Sequence, residues 1–250
     1  MLYITGDTHG DFSGFEKRMA GKDLGKDDIL LITGDFGFGW NRVMKEMWQN
    51  WPHAYTVLFC DGNHENFDIL KDLPEKAMFG DTVGDFGNNT YRLLTGHMYD
   101  IAGYRTFVFG GAASIDVACR RPWVEWWPDE IPKKSQIDLA MKTLEENGWK
   151  FDLFVSHTCN QDLKRKLVYP MTEFYDPTEK MIGDLEKAVA DHGGEWGSSW
   201  FGHFHKDANF DGKYHCRLDR VSRIIDRTRF ENIGLKVNRK TKSSGMVPER

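Results

Sequence analysis

Cysteine is scarce and scattered in this chain. Cys60, Cys119, Cys159 and Cys216 stand far apart and form no CxxC pair, which argues against a zinc ribbon or a dithiol redox motif and leaves reduced, structural thiols as the expectation. Long apolar runs are also missing: none approaches the roughly 20 residues that a membrane-spanning helix needs. Met1 leads straight into a short strand and a polar loop, with no room for the basic start and apolar stretch of a secretory signal. A cytoplasmic protein is the expectation. Neither an internal repeat nor a linker interrupts the sequence, so one domain is expected over residues 1–237. Positive charge is in deficit, with 33 Lys and Arg against 38 Asp and Glu and a net charge of −5. That balance repels a phosphate unless something local reverses it. From Arg217 to Arg250, ten basic residues face four acidic ones; the rest of the chain, 23 against 34, carries −11. The end of this stretch, residues 238–250 (NRKTKSSGMVPER), reads as a flexible basic tail, either solvated or touching a polyanion such as nucleic acid.

What is present is a core. Hydrophobic residues make up 40% of the 250, and many lie in short runs that read as buried strands. Leu2 to Thr5 is followed by a helical stretch from Phe12 to Met19 with Asp11 as its N-cap. Ile29 to Thr33 is followed by a helical stretch from Trp40 to Trp51. Tyr55 to Cys60 is a third strand. Strands alternating with helices predict parallel members buried on both faces, and such sheets carry ligands at the carboxyl ends of their strands. Further on, Tyr91–Leu94, Met98–Ala102 and Thr106–Phe109 read as consecutive antiparallel strands. A Trp-rich, charged insertion, about residues 112–134, follows them. Then come a helix over Gln136–Asn147, a strand over Phe151–Val155, and a helix within Asp176–Asp191 entered through Pro177. Ser198–Phe201 is a last strand signal, before a hairpin over Asn209–Cys216 turning at Asp211-Gly212.

Five polar clusters follow five of these strands: Asp7-Thr8-His9, Gly34-Asp35, Gly62-Asn63-His64-Glu65, Ser156-His157 and Gly202-His203-Phe204-His205. Glu65 apart, they hold five imidazoles, two carboxylates and one amide, donors suited to manganese, iron or zinc and free of thiolate. Residues two apart on extended chain point the same way, so Asp7 with His9, and His203 with His205, can each converge. Gly6, Gly34, Gly62 and Gly202 precede four clusters, where a sharp backbone turn is expected. A lone DxH or HxH is usually an ordinary loop; Gly-Asn-His-Glu after an apolar strand is far more specific.

In this order the clusters resemble the metallophosphoesterase, or calcineurin-like phosphoesterase, superfamily, whose pattern runs D-x-H, G-D, G-N-H-E/D, H, G-H-x-H. The resemblance spans Asp7 to His205 and is nearest to small bacterial and phage members. It implies an α/β fold, a four-layer α/β/β/α sandwich of two mixed sheets flanked by helices. It also implies two divalent ions, manganese foremost, with iron, zinc, nickel or cobalt as alternatives. Carried over, Asp7, His9, Asp35 and His205 would hold one ion, and Asp35, Asn63, His157 and His203 the other, with Asp35 bridging. His64 would face the substrate as general acid or phosphate stabiliser. Two such ions share a hydroxide and clamp both the attacking and leaving oxygens of an in-line displacement. Two divalent cations less two aspartates and one hydroxide leave a centre near +1, which draws in an anionic ester.

The pattern also departs. Many relatives continue the second motif as G-D-x-x-D, whose second carboxylate orients the catalytic histidine, often with an Arg-Gly that grips phosphate. Here Phe38 stands at that position and no arginine follows. Asp61 and Glu65 are the nearby candidates to orient His64; Glu65 reads equally as a cap for the following helix. Arg120, Arg121, Trp126 and Trp127 in the insertion are candidate substrate contacts, guanidinium for phosphate and indole for a base or a substrate rim. The alternative for the tryptophans is a local satellite core. The expected activity is phosphate-ester hydrolysis, as phosphatase or phosphodiesterase, tilted toward nucleotide or nucleic-acid substrates. A Ser/Thr phosphoprotein phosphatase is the runner-up within the class. A non-catalytic scaffold binding a protein partner is the rival outside it.

Overall fold

A computed structural model describes residues 1–168 and 174–234. The stretch read as a basic tail, 238–250, lies outside the described residues. Three apolar runs form the centre of the first sheet: β1 (Leu2–Thr5), β2 (Ile29–Ile32) and β3 (Thr56–Phe59), parallel and in register from Leu2 with Ile29 and Ile29 with Thr56. Their side chains alternate between two interiors, so a continuous hydrophobic run is required. Tyr3, Leu30, Ile32, Val57 and Phe59 face one core, while Leu2, Ile4, Leu31 and Leu58 face another.

The first of these cores lies under α1 (Phe12–Met19), α2 (Arg42–Gln49) and the short α3 (Phe67–Leu70). Asp11 caps α1 by accepting from the Gly14 amide at 3.0 Å. α2 is shorter at both ends than the expected Trp40–Trp51: Asn41 takes the cap by accepting from the Met44 amide at 2.9 Å, and Trp40 turns in to meet Trp127 edge-on at 5.6 Å.

The first sheet continues through β4 (Glu75–Met78), β5 (Asp81–Gly87) and β6 (Thr90–Leu93), and ends at β13 (Val221–Ile224) and β14 (Phe230–Ile233), in the order β14-β13-β1-β2-β3-β6-β5-β4. The second contains β7 (Met98–Ile101), β8 (Tyr104–Phe109), β9 (Lys150–Ser156), β10 (Glu195–Phe201), β11 (Ala208–Phe210) and β12 (Tyr214–Cys216), in the order β11-β12-β10-β9-β8-β7. Both mix parallel and antiparallel pairs. The expected antiparallel run across residues 91–109 therefore breaks in two. β6 pairs parallel with β3 in the first sheet, while β7 and β8 pair antiparallel with each other in the second.

Leu93, Tyr99, Ile101, Val108, Val155 and Trp200 complete the core between the sheets. On the far side, α4 (Lys134–Glu146) and α6 (Pro177–Asp191) cover Phe107, Phe109, Phe151 and Phe154 with Ala140, Leu144, Ile182, Leu185 and Val189. Helices, sheet, sheet and helices thus enclose three hydrophobic layers, the α/β architecture expected. α5 (Gln161–Val168), unforeseen, seats Leu163 and Leu167 beside Cys159, Phe201 and Cys216. Among the described residues no helix is long and apolar enough to cross a membrane.

The Trp-rich insertion is moored to this frame. Trp127 is 2% exposed, packs in the first core, and donates from Nε1 to Asp68 Oδ2 at 2.9 Å. Truncation, Trp127→Ala, is therefore expected to cost about 3–5 kcal/mol of stability, read as a fall in the urea midpoint. An unchanged midpoint would mean that the indole is not a mooring.

Candidate metal centre

The central strands of both sheets end on one side, and each hands over its polar cluster there. β1 leads to Asp7 and His9, β2 to Asp35, β3 to Asn63 and His64, β9 to His157, and β10 to His203 and His205. Four of these residues, His9, Asp35, His203 and His205, have left-handed backbone, with φ of 48°, 48°, 65° and 50°. Such conformations are uncommon outside glycine and gather at functional sites. Of the four preceding glycines only Gly34 has a positive φ, so the sharp turns fall mostly on the candidate ligands themselves. The glycines give clearance instead. A Cβ on Gly202 would lie 1.9 Å from Asp7 Oδ1, and one on Gly62 would lie 2.1 Å from Asp35 Oδ1.

Two groups of donors result. In the first, His9 Nε2 and His205 Nε2 approach to 3.0 Å, with Asp7 Oδ2 at 3.8 and 3.5 Å from them. In the second, His157 Nε2 lies 3.1 Å from Asn63 Oδ1 and 3.2 Å from Asp35 Oδ1. Asp35 lies between the groups: its Oδ1 belongs to the second, and its Oδ2 is 3.6 Å from Nδ1 of His9, the ring whose Nε2 belongs to the first. Asp7 with His9 and His205, Asp7 with Asp35 and His157, and His9 with Asp35 and His64 each bring donor atoms close enough to hold an ion. The His203 ring stands edge-on to His157, 5.0 Å between centroids.

Electrostatics describe a site short of positive charge. Burial opposes ionisation of Asp35, but the facing His157 overcomes it and holds the carboxyl below the usual range. Burial raises Asp7 to about 6, and Asp35 adds to the shift against the pull of His157. Burial likewise works against charging His157, yet Asp35 and Asp7 raise it to about 10. His9 falls to about 4 and His203 to about 3, chiefly through burial, which leaves their rings neutral with lone pairs free. A cation held among these oxygens and nitrogens would supply the charge that a proton on His157 otherwise provides.

Residues that the sequence did not single out hold the donors in place. Thr33 O accepts a hydrogen bond from His157 Nδ1 at 2.8 Å, so Nε2 is the atom turned to the oxygens. Asn63 Nδ2 donates to Ser114 Oγ at 3.1 Å, and Ser114 donates onward to Glu130 Oε2 at 2.8 Å. That relay turns Asn63 Oδ1 toward His157. Arg18 donates to the Asp7 carbonyl at 2.7 Å and to the Gly6 carbonyl at 2.8 Å. These partners lie 11 to 124 positions away or sit in the insertion, and no local motif marks them.

The remaining candidates divide. Asp61 is bound by Arg92 at 2.7 and 2.8 Å. Glu65 accepts from the Phe36 and Gly37 amides at 2.7 and 3.3 Å, and burial raises it to about 8. It neither orients His64 nor caps α3, whose cap is Asn66. Phe38 is fully buried among Phe12, Phe36 and Trp48. Arg121 is exposed and paired with Glu125 at 3.2 Å. Trp127 belongs to the core, and Trp126 is half-buried within the insertion. Arg120 is different: its Nη1 reaches His64 Nδ1 at 3.2 Å.

Two clefts open on either side of the His64–Arg120 pair. One, of about 440 Å³, has Asp35, Asn63 and His203 on its floor and Ile115, Val168, Phe174 and Phe204 among its walls. The other, of about 450 Å³, runs past His9 to Trp40 and Met44.

A family model described as calcineurin-like phosphoesterase matches residues 2–207. No curated protein matches the chain significantly. The matched span takes in every strand-edge cluster described above.

Proposed function

From the chain's membership of the calcineurin-like phosphoesterase family, a family of metal-dependent phosphoester hydrolases, we propose that it hydrolyses small organic phosphate esters with two divalent ions, manganese foremost. In this reading Asp7, His9, Asp35 and His205 hold one ion, and Asp35, Asn63, His157 and His203 the other. The observation that carries it is Asp35, whose two oxygens lie against one imidazole from each donor group, His9 and His157. When bound, such ions polarise the phosphoryl oxygens and make a water nucleophilic near neutral pH.

The chain's own residues do the rest. His157 is fixed by Thr33 and Asn63 by Ser114, so the donors need little rearrangement to take up the cations. His64 stands outside the ligand set and acts on the ester as hydrogen-bond donor. The apolar walls formed by Ile115, Val168, Phe174 and Phe204 suit a flat or apolar substituent on the phosphate, which favours nucleotide-like or aryl esters over phosphoproteins.

A direct test is phosphate release from p-nitrophenyl phosphate, its bis-ester, nucleotides and phosphopeptides by protein loaded with Mn²⁺, then stripped with a chelator. Turnover of a small ester that disappears on chelation and returns with Mn²⁺ is expected. Absence of turnover across the whole series in loaded protein defeats the proposal and favours a scaffold.

A further inference from the structure

Among the described residues no carboxylate accepts a hydrogen bond from the His64 ring, although Asp35 stands close to it. Asp61 is consumed by Arg92, Glu65 by two backbone amides, and Phe38 lies in the core. What meets the His64 ring is a cation. Arg120 Nη1 lies 3.2 Å from Nδ1, and the guanidinium is itself held from behind. Asp116 Oδ2 lies 2.8 Å from Nη2, and the Glu125 carbonyl accepts from Nη1 at 3.3 Å. The other end of His64 is anchored too, because its backbone amide donates to Asp35 Oδ1 at 2.8 Å.

We propose that Arg120 is a positioning residue which, backed by Asp116, fixes the His64 ring with Nδ1 as acceptor and Nε2 as the proton-bearing atom. A guanidinium has five donors, no acceptor, and keeps its charge at any working pH. Nδ1 must therefore accept, and a neutral imidazole that accepts at Nδ1 carries its hydrogen at Nε2. A carboxylate in the same place would impose the reverse, accepting from Nδ1–H and favouring imidazolium. Arg120 thus makes His64 a neutral hydrogen-bond donor to developing negative charge, the role that oriented donors fill in anion stabilisation. The insertion that carries Arg120 also carries Ser114, which turns Asn63. One segment so sets both side chains of the Asn63-His64 pair.

The proposal rests on the reading that His64 acts on the ester, and its first test does not depend on turnover. Nitrogen-15 spectra of the histidine side chains in the full-length protein, with His64→Asn to assign the signals, report which ring nitrogen of His64 bears hydrogen. Hydrogen on Nε2 in the native protein, with that preference lost in Arg120→Met, is expected; hydrogen on Nδ1 overturns the proposal. The second test is kinetic. Arg120→Met should lower kcat by about 10- to 100-fold with little change in KM or metal content, and Arg120→Lys should recover part of the loss. In a His64→Asn background the same substitution should change kcat by no more than about two-fold. A rise in KM together with an undiminished effect in that background would mean that Arg120 grips the substrate directly, which also overturns the positioning role. Circular dichroism of both Arg120 variants checks that they fold. If the native enzyme hydrolyses nothing, the proposed function fails, and the spectra still decide the role of Arg120.

Discussion

Asp35→Asn is expected to abolish turnover and empty both metal positions together. The substitution is nearly isosteric, and asparagine tolerates the left-handed backbone at this position, so the loop need not move. The charge is lost, however, and with it a group whose oxygens touch an imidazole from each donor set. Without it, Asp7 is the other carboxylate among the candidate ligands, and single oxygen donors lacking charge bind hard cations poorly. Elemental analysis of the loaded protein should fall from about two ions per chain, the content of a two-metal site, to less than half of that. The near-ultraviolet dichroism should stay native. A variant that keeps its full complement of ions would show that Asp35 does not bridge.

His64→Asn should separate catalysis from metal binding. A ring nitrogen of His64 comes near His9 and Asp35, but its ring is hydrogen-bonded to Arg120 and its amide to Asp35. Removing one oriented donor to developing negative charge costs about 10²–10³ in kcat, and a loss of that order is expected. Metal content should remain that of the native protein. If the ions left with the imidazole, His64 would belong among the ligands, and the division of roles between it and Asn63 would need redrawing.

The parts of this molecule that could be read from the sequence are those whose signal is local. β1, β2 and β3 are buried on both faces, so their apolar runs are uninterrupted, and each ends in glycine or a polar cluster. The candidate ligands follow from them. Where a strand is half exposed the signal fades. β4 reads Glu-Lys-Ala-Met at a sheet edge, and β13 and β14 bury only Val221, Ser222 and Ile224 among basic and polar neighbours. None of the three was foreseen. β6 followed by β7 looks like a meander, but the chain changes sheets between them, which a run of alternating residues cannot express.

Long-range pairing was equally silent. Arg120 sits 56 positions from His64 and Ser114 51 from Asn63. Arg120 stood out only as a cation near tryptophans. Proximity in sequence misled for Asp61 and Glu65: each is adjacent to the Asn63-His64 pair or one position removed, yet both turn away to stabilise the scaffold.

The positive φ angles at His9, Asp35, His203 and His205 also restrict which chemistry these loops can host. Apart from glycine, the residues that enter this region most readily are asparagine, aspartate and histidine, and all three end in an oxygen or nitrogen close to the main chain. Glutamate, with its longer arm, and thiolates are less suited to the same corners. Loop shape by itself therefore narrows the palette to short, hard or borderline donors. A redesign toward a softer cation such as Cu(I) would have to rebuild the turns before exchanging the side chains.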